Sequence, residues 1–257
     1  MPSVLAIAAH PDDIEFFMAG TLLRLKQVGY ELHYLTIANG CCGSTEWSAK
    51  HTAEIRAREA LEAADRLGAE FHPSLANDLE IAYDDRLLRR VASIVRKAAP
   101  EILLTHSPVD YMEDHEITCR LAVTAAFARG MPNFRTEPPR EPLPGPVTVY
   151  HAQPHGNREP VGPVVRPTLF VDIADVLDEK TRLLDCHVSQ RQWLDQSQGM
   201  SSMARTIHDQ AREVGEMSGR FQYAEGWRCR LHLGFCDPDA DPLAKALGEH
   251  AMAMAGP

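Results

Sequence analysis

The first 130 residues alternate short apolar runs with longer amphipathic ones, in the rhythm of strands followed by helices. Val4 to Ala9 is continuously apolar, as a strand buried on both faces would be. Apolar residues at helical spacing then run from Ile14 to Val28 and stop at Gly29. Leu32 to Ala38 reads as a second strand, followed by the polar loop NGCCGSTEWSAK and a helix from about Thr52 to Leu67, stopped by Gly68. Ala69 to Phe71 is a short third strand, Asp84 to Lys97 a helix, Ile102 to Thr105 a fourth strand, and Glu116 to Arg129 a helix closed by Gly130. Four such repeats predict an α/β fold, a Rossmann-like parallel sheet flanked by helices.

Beyond residue 130 the texture changes. Ten of the 18 prolines fall between 132 and 167, which marks a rigid, irregular excursion. Val147 to Tyr150 and Thr168 to Ile173 read as further strands, pairing at the sheet edge. Asp175 to Trp193 and Thr206 to Val214 read as helices. The economical organisation is one domain over 1–257: a core of about 1–130, the excursion at 132–167, and a C-terminal elaboration over 168–257.

Composition narrows the partners. A formal net charge of −10 repels nucleic acid and anionic membranes, so neither is expected as a partner. No apolar run approaches the ~20 residues a membrane helix needs. The opening MPSVLAIAAHPDD lacks the basic start of a signal peptide. The six cysteines form no C-x-x-C pair and fit reduced thiols, so a cytoplasmic location is expected.

The chemistry lies in two clusters, each directly after a strand. Ala9-His10-Pro11-Asp12-Asp13 follows the first, where a nucleotide-binding sheet would carry glycines. Two carboxylates there repel phosphate and attract a divalent cation. Asp110-Tyr111-Met112-Glu113-Asp114-His115 follows the fourth strand, so the two clusters can meet across the sheet. His10, Asp13 and His115 then supply two imidazoles and one carboxylate, a catalytic zinc shell that leaves a position open for water. The bland alternative is a polar turn with one Asp capping a helix. It leaves the second Asp and the convergent histidines without a purpose.

The AHPDD run, the later D-x-x-x-D-H run and the Arg56-Ala57-Arg58-Glu59 segment between them resemble the PIG-L/LmbE deacetylase family. The resemblance covers residues 3 to 130 well and the rest loosely. It implies a Zn2+-dependent hydrolase that removes an N-acyl group, acetyl above all, from an amino-sugar-like small molecule. It assigns His10, Asp13 and His115 as zinc ligands, and Asp12 as the general base that takes a proton from the attacking water. Arg56 falls on the family's substrate-contacting arginine, while Asp114, and Asp110 with it, would orient the metal ligands from behind. Asp78, in a loop after the third strand, is a candidate for a sugar hydroxyl. By analogy the excursion and the C-terminal third would wall the pocket and contribute to a homo-oligomer.

One departure stands out. Many relatives read H-P-D-H where this chain has Met112-Glu113-Asp114-His115, and that first His stabilises the oxyanion or protonates the leaving amine. A thioether donates no proton. His106, His151, His155 and His232 are the candidates to replace it, with the His151/His155 pair favoured. The departure also keeps open a metal-dependent hydrolase of another small amide in a specialised pathway, or a catalytically weak zinc-binding protein. Against a purely structural metal stands Asp12, a carboxylate that such a site does not need.

Overall fold

The computed structural model describes residues 1–198 and 203–254. Its centre is β1 (Ser3–Ala8), every residue of which is buried. It lies parallel between β2 (Glu31–Thr36) and β4 (Ile102–Thr105). β3 (Ala69–His72) extends the sheet parallel beyond β2, and β5 (Thr148–Ala152) does the same beyond β4. The eight-stranded order is β3-β2-β1-β4-β5-β7-β6-β8. The last three, β7 (Ala224–Cys229), β6 (Leu169–Asp172) and β8 (Ala251–Ala253), run antiparallel to their neighbours. Chain order reverses at β1 and β4, so a crevice opens beyond their carboxyl ends, where open α/β sheets bind ligands.

Period-two alternation divides the central strands between two cores. Val4, Ala6 and Ala8 face one side, with Leu22, Leu25 and Ala64 of the helices there. Leu5 and Ile7 face the other, against α4 (Asp85–Ala98) and α5 (Glu113–Ala128). Helices therefore cover both faces of the parallel part, as its unbroken apolar strands require.

The predicted helix over 14–28 is two helices, α1 (Asp13–Phe17) and α2 (Ala19–Gln27), broken at Met18. The break frees the first-turn N–H groups of α2, and a remote carboxylate takes them up. Glu225 on β7 accepts from Gly20 N at 2.8 Å, and from Thr21 N and Oγ1 at 2.7 and 2.6 Å. It also pairs with buried Lys180 at 2.6 Å. Any side chain at position 20 would strike Glu225 and Ile173, so this tie needs glycine. α3 (Ala49–Leu67) starts one turn earlier than the periodicity predicts, capped by the Ser48 hydroxyl.

The predicted helix over 175–193 also divides, into α6 (Leu177–Leu184) and α7 (Val188–Gln198), with fully buried His187 at the bend. α8 (Met203–Ser218) is longer than predicted, while β7, β8 and α9 (Pro242–Leu247) went unpredicted. β5 and β6 are not edge strands, because β7 inserts between them and β8 takes the edge. The Arg230–Leu233 stretch, strand-like in its alternation, lies outside any strand, with Leu231 and Leu233 exposed.

Candidate active site

Beyond β1 the chain turns so tightly that Asp12 adopts φ 109°, in the left-handed region. Asp12 occupies the cap position of α1, yet its side chain makes no capping hydrogen bond. The turn aims Asp13 at the backbone, where its Oδ2 accepts from His10 N at 2.7 Å. That same oxygen lies 3.4 Å from each of His10 Nδ1, His106 Nε2 and His115 Nε2.

The second cluster arrives with Asp114 and His115 on the first turn of α5 and Asp110 in the loop before it. His10 Nε2 donates to Asp114 Oδ2 at 2.9 Å, and His115 Nδ1 donates to Asp110 Oδ1 at 3.0 Å. A carboxylate only accepts, so these bonds fix where each ring carries its proton. Both imidazoles therefore turn the opposite nitrogen toward Asp13. A carboxylate behind each histidine is the usual support of metal-ligating imidazoles. Ligand atoms about 3.4 Å apart also match the edge of a tetrahedron with bonds of about 2.1 Å. The donor set of His10, Asp13 and His115 thus fits a divalent cation.

The electrostatics agree. Burial opposes charge on His10, but its bonds to Asp114 and Asp13 prevail and raise its pKa to about 9. Burial likewise opposes charge on His115, and Asp13 and Asp110 lift it to about 10. Burial pushes Asp13 upward, and the surrounding imidazoles more than reverse that, holding it well below the usual carboxylate range. Without metal both histidines thus carry protons at neutral pH, and ligation must expel them. Zinc binding at pH 7 is expected to release about two protons and to weaken by up to about a hundredfold per pH unit lost. Calorimetry in buffers of different ionisation enthalpy measures that count, and a value near zero would show that the two imidazoles are already neutral before the cation binds.

Over these groups lies a cleft of about 420 Å³. Its floor is polar, formed by His10, Asp12, Asp13 and His115, and its walls include Phe16, Tyr111 and Trp193. Burial pushes the Asp12 pKa up, opposed by the Arg56 guanidinium 3.4 Å from its Oδ1. Arg56 is only 2% exposed and also donates to Pro11 O. It packs so closely on Gly40 and Gly43 that a Cβ at either would overlap it. Arg56, expected as a substrate contact, also lines the cleft, and its guanidinium braces Asp12 there. Asp78 reaches the cleft wall, but its two oxygens accept from Gly40 N and Cys42 N at 2.6 and 2.9 Å, fixing the loop after β2.

Of the four candidate histidines, His155 alone lines the cleft among the described residues, its ring 5.4 Å from Phe16 and 5.8 Å from Tyr111. His106 stacks beneath His115 at 4.0 Å, and its Nε2 accepts from Ala9 N at 2.8 Å. His151 is buried on β5, bonded to the His106 carbonyl at 2.9 Å and 3.4 Å from Arg230. His232 sits in the turn after β7, where its carbonyl accepts from Phe235 and Cys236. The last three are not placed to meet a substrate. The excursion gives the cleft only His155; α7 supplies Gln190, Trp193 and Leu194.

Sequence reasoning missed these wall residues and a buried pair near Asp12. Glu15 Oε2 lies 3.3 Å from His187 Nε2 and accepts from Tyr34 Oη at 3.1 Å. Only Tyr111 and Glu15 carried a signal, by adjacency to the two clusters.

Comparison with known proteins finds relatives that span most of the chain. Residues 5–126 match the family model described as PIG-L, GlcNAc-PI de-N-acetylase. The diacetylchitobiose deacetylase of Thermococcus kodakarensis is 32% identical over 233 residues, 88% of this chain and 82% of that protein. The 4-oxalmesaconate hydratase of Pseudomonas putida is 29% identical over 233 residues, 87% of each chain. The solved structure of the N,N'-diacetylchitobiose deacetylase from Pyrococcus horikoshii matches with a TM-score of 0.75 at 26% identity. It covers 90% of this chain and 84% of that one.

Proposed function

The chain belongs to the PIG-L family, and from that premise we propose that it removes the N-acetyl group of an amino-sugar-like small molecule with the help of zinc. One observation carries this reading above the others. Asp12, free of any capping bond, stands beside His10, Asp13 and His115 on the floor of a cleft. Two imidazoles and a carboxylate suit zinc among the divalent cations. Zinc held there would polarise the acyl carbonyl and acidify a water.

The remaining work falls to the protein's own side chains. Asp12 takes the proton of the attacking water, and burial favours this by raising its proton affinity. Arg56 holds Asp12 in place and keeps it from protonating too early. Asp114 and Asp110 fix the rings of His10 and His115. His155 supplies the N–H that Met112 cannot, donating a hydrogen bond to the developing oxyanion, while the proton that Asp12 has taken from water goes on to the departing amine. Burial lowers the His155 pKa, so it rests neutral with one N–H to offer. Phe16, Tyr111 and Trp193 hold the apolar flank of the substrate and limit access of bulk water.

A second reading, hydration of an unsaturated acid, draws on the hydratase relative, which covers as much of its own length as of this chain. Both reactions begin by deprotonating water beside a polarised oxygen, so the floor of the cleft suits either. Acetate release from N-acetylglucosamine and diacetylchitobiose, run beside hydration of 4-oxalmesaconate, separates them. Chelator-sensitive acetate release is expected, falling by ~10² in His155→Ala, the usual scale for a lost oxyanion donor. Hydration without acetate release would replace the deacetylase reading.

A further inference from the structure

We propose that the chain holds a second divalent cation, on the imidazoles of His33 and His72 and the carboxylate of Glu70, at the β2–β3 edge of the sheet. None of the three lines the cleft. The strand register brings them together: His33 pairs with Glu70 and Leu35 with His72. Residues 70 and 72 therefore project from the same face of β3, beside His33.

The spacing is that of ligands. His33 Nδ1 lies 3.2 Å from His72 Nε2 and 3.4 Å from Glu70 Oε2. Both values fall near the tetrahedral edge of about 3.4 Å. They repeat the separations among His10, Asp13 and His115. Without metal the two rings share a single N–H···N bond; a cation would take that proton's place between the two nitrogens.

Access and chemistry also suit. His33 and His72 are 7% and 4% exposed, whereas Glu70 stands at the surface with its side chain 46% exposed, so the site has a way in. Lys97 binds the other oxygen of Glu70, which fixes the carboxylate and leaves Oε2 toward His33. Its positive charge opposes a cation, so this site should bind more weakly than the one on the cleft floor. Two imidazoles and one carboxylate select a borderline cation such as zinc or cobalt over calcium or magnesium. Bound there, it would staple the four-residue β3 to β2.

Titration of metal-free protein with zinc and with cobalt, followed by equilibrium dialysis and metal analysis, tests the proposal. Two equivalents per chain are expected, one of which persists in His115→Ala. Glu70→Gln, at a surface position, and His72→Gln should each weaken the lesser equivalent by tenfold or more while acetate release stays within twofold of normal. A single equivalent in the unaltered protein overturns the proposal. So does a lesser equivalent that keeps its affinity in both variants.

Discussion

His115→Ala is expected to remove the metal from the cleft floor and to lower kcat/KM by about three orders of magnitude. That loss corresponds to about 4 kcal/mol of transition-state stabilisation, within the range that a catalytic cation supplies. His115 joins both clusters: Nε2 faces Asp13 across 3.4 Å, and Nδ1 donates to Asp110 across 3.0 Å. The truncation removes a donor and leaves the Asp110 carboxylate buried without its partner. His115→Gln keeps a polar side chain at the position and serves as the folding control. Metal analysis and acetate release, read together, decide the matter; a variant with both intact would remove His115 from the site.

Asp12→Asn should keep the metal and the fold while kcat falls by ~10² to 10⁴, the usual worth of a general base. The substitution is nearly isosteric, and asparagine tolerates the left-handed backbone better than most residues, so the φ of 109° is no obstacle. The pH profile supplies a second readout. As the proposed base Asp12 would act as a carboxylate, and burial raises its pKa above the ordinary value of 3.8. Activity should therefore fall on acidification at a higher pH than an ordinary aspartate would give, and the residual activity of Asp12→Asn should lack that limb. Near-normal turnover in the variant would dismiss Asp12 as the base.

The parallel half of the fold was legible because its strands are buried on both faces and written as unbroken apolar runs, as from Val4 to Ala9. The two clusters were legible because each is local and sits where a strand ends. What escaped depends on partners far along the chain. The break at Met18 makes sense only with Glu225, some 205 residues later, on the N–H groups of Gly20 and Thr21. β7 itself interleaves Glu225, Gly226 and Arg228 with its apolar residues, so it shows no strand periodicity. Arg56 is marked as a substrate contact by its place in the family resemblance, with the solvated face of a charged helix as the bland alternative. Its inward turn is set by space left at Gly40 and Gly43, which composition does not reveal. Leu231 and Leu233, which flank His232, alternate as a strand would, yet they are 74% and 67% exposed.

The Glu225 tie bears on how the chain can be dissected. A fragment ending near residue 130 would contain every residue proposed to bind zinc or activate water, and the whole of the family match. It would also lack β5 along the open side of β4, the carboxylate on the N–H groups of Gly20 and Thr21, and Trp227, whose indole N–H bonds the Thr21 hydroxyl at 2.9 Å. α2 would lose its anchor at the very end that follows α1, the short helix whose first residue is Asp13. The late strands therefore serve as a clamp on the turn that carries Asp12 and Asp13. Swapping the C-terminal third between relatives to change specificity requires carrying Gly20, Thr21, Lys180 and Glu225 across as one set.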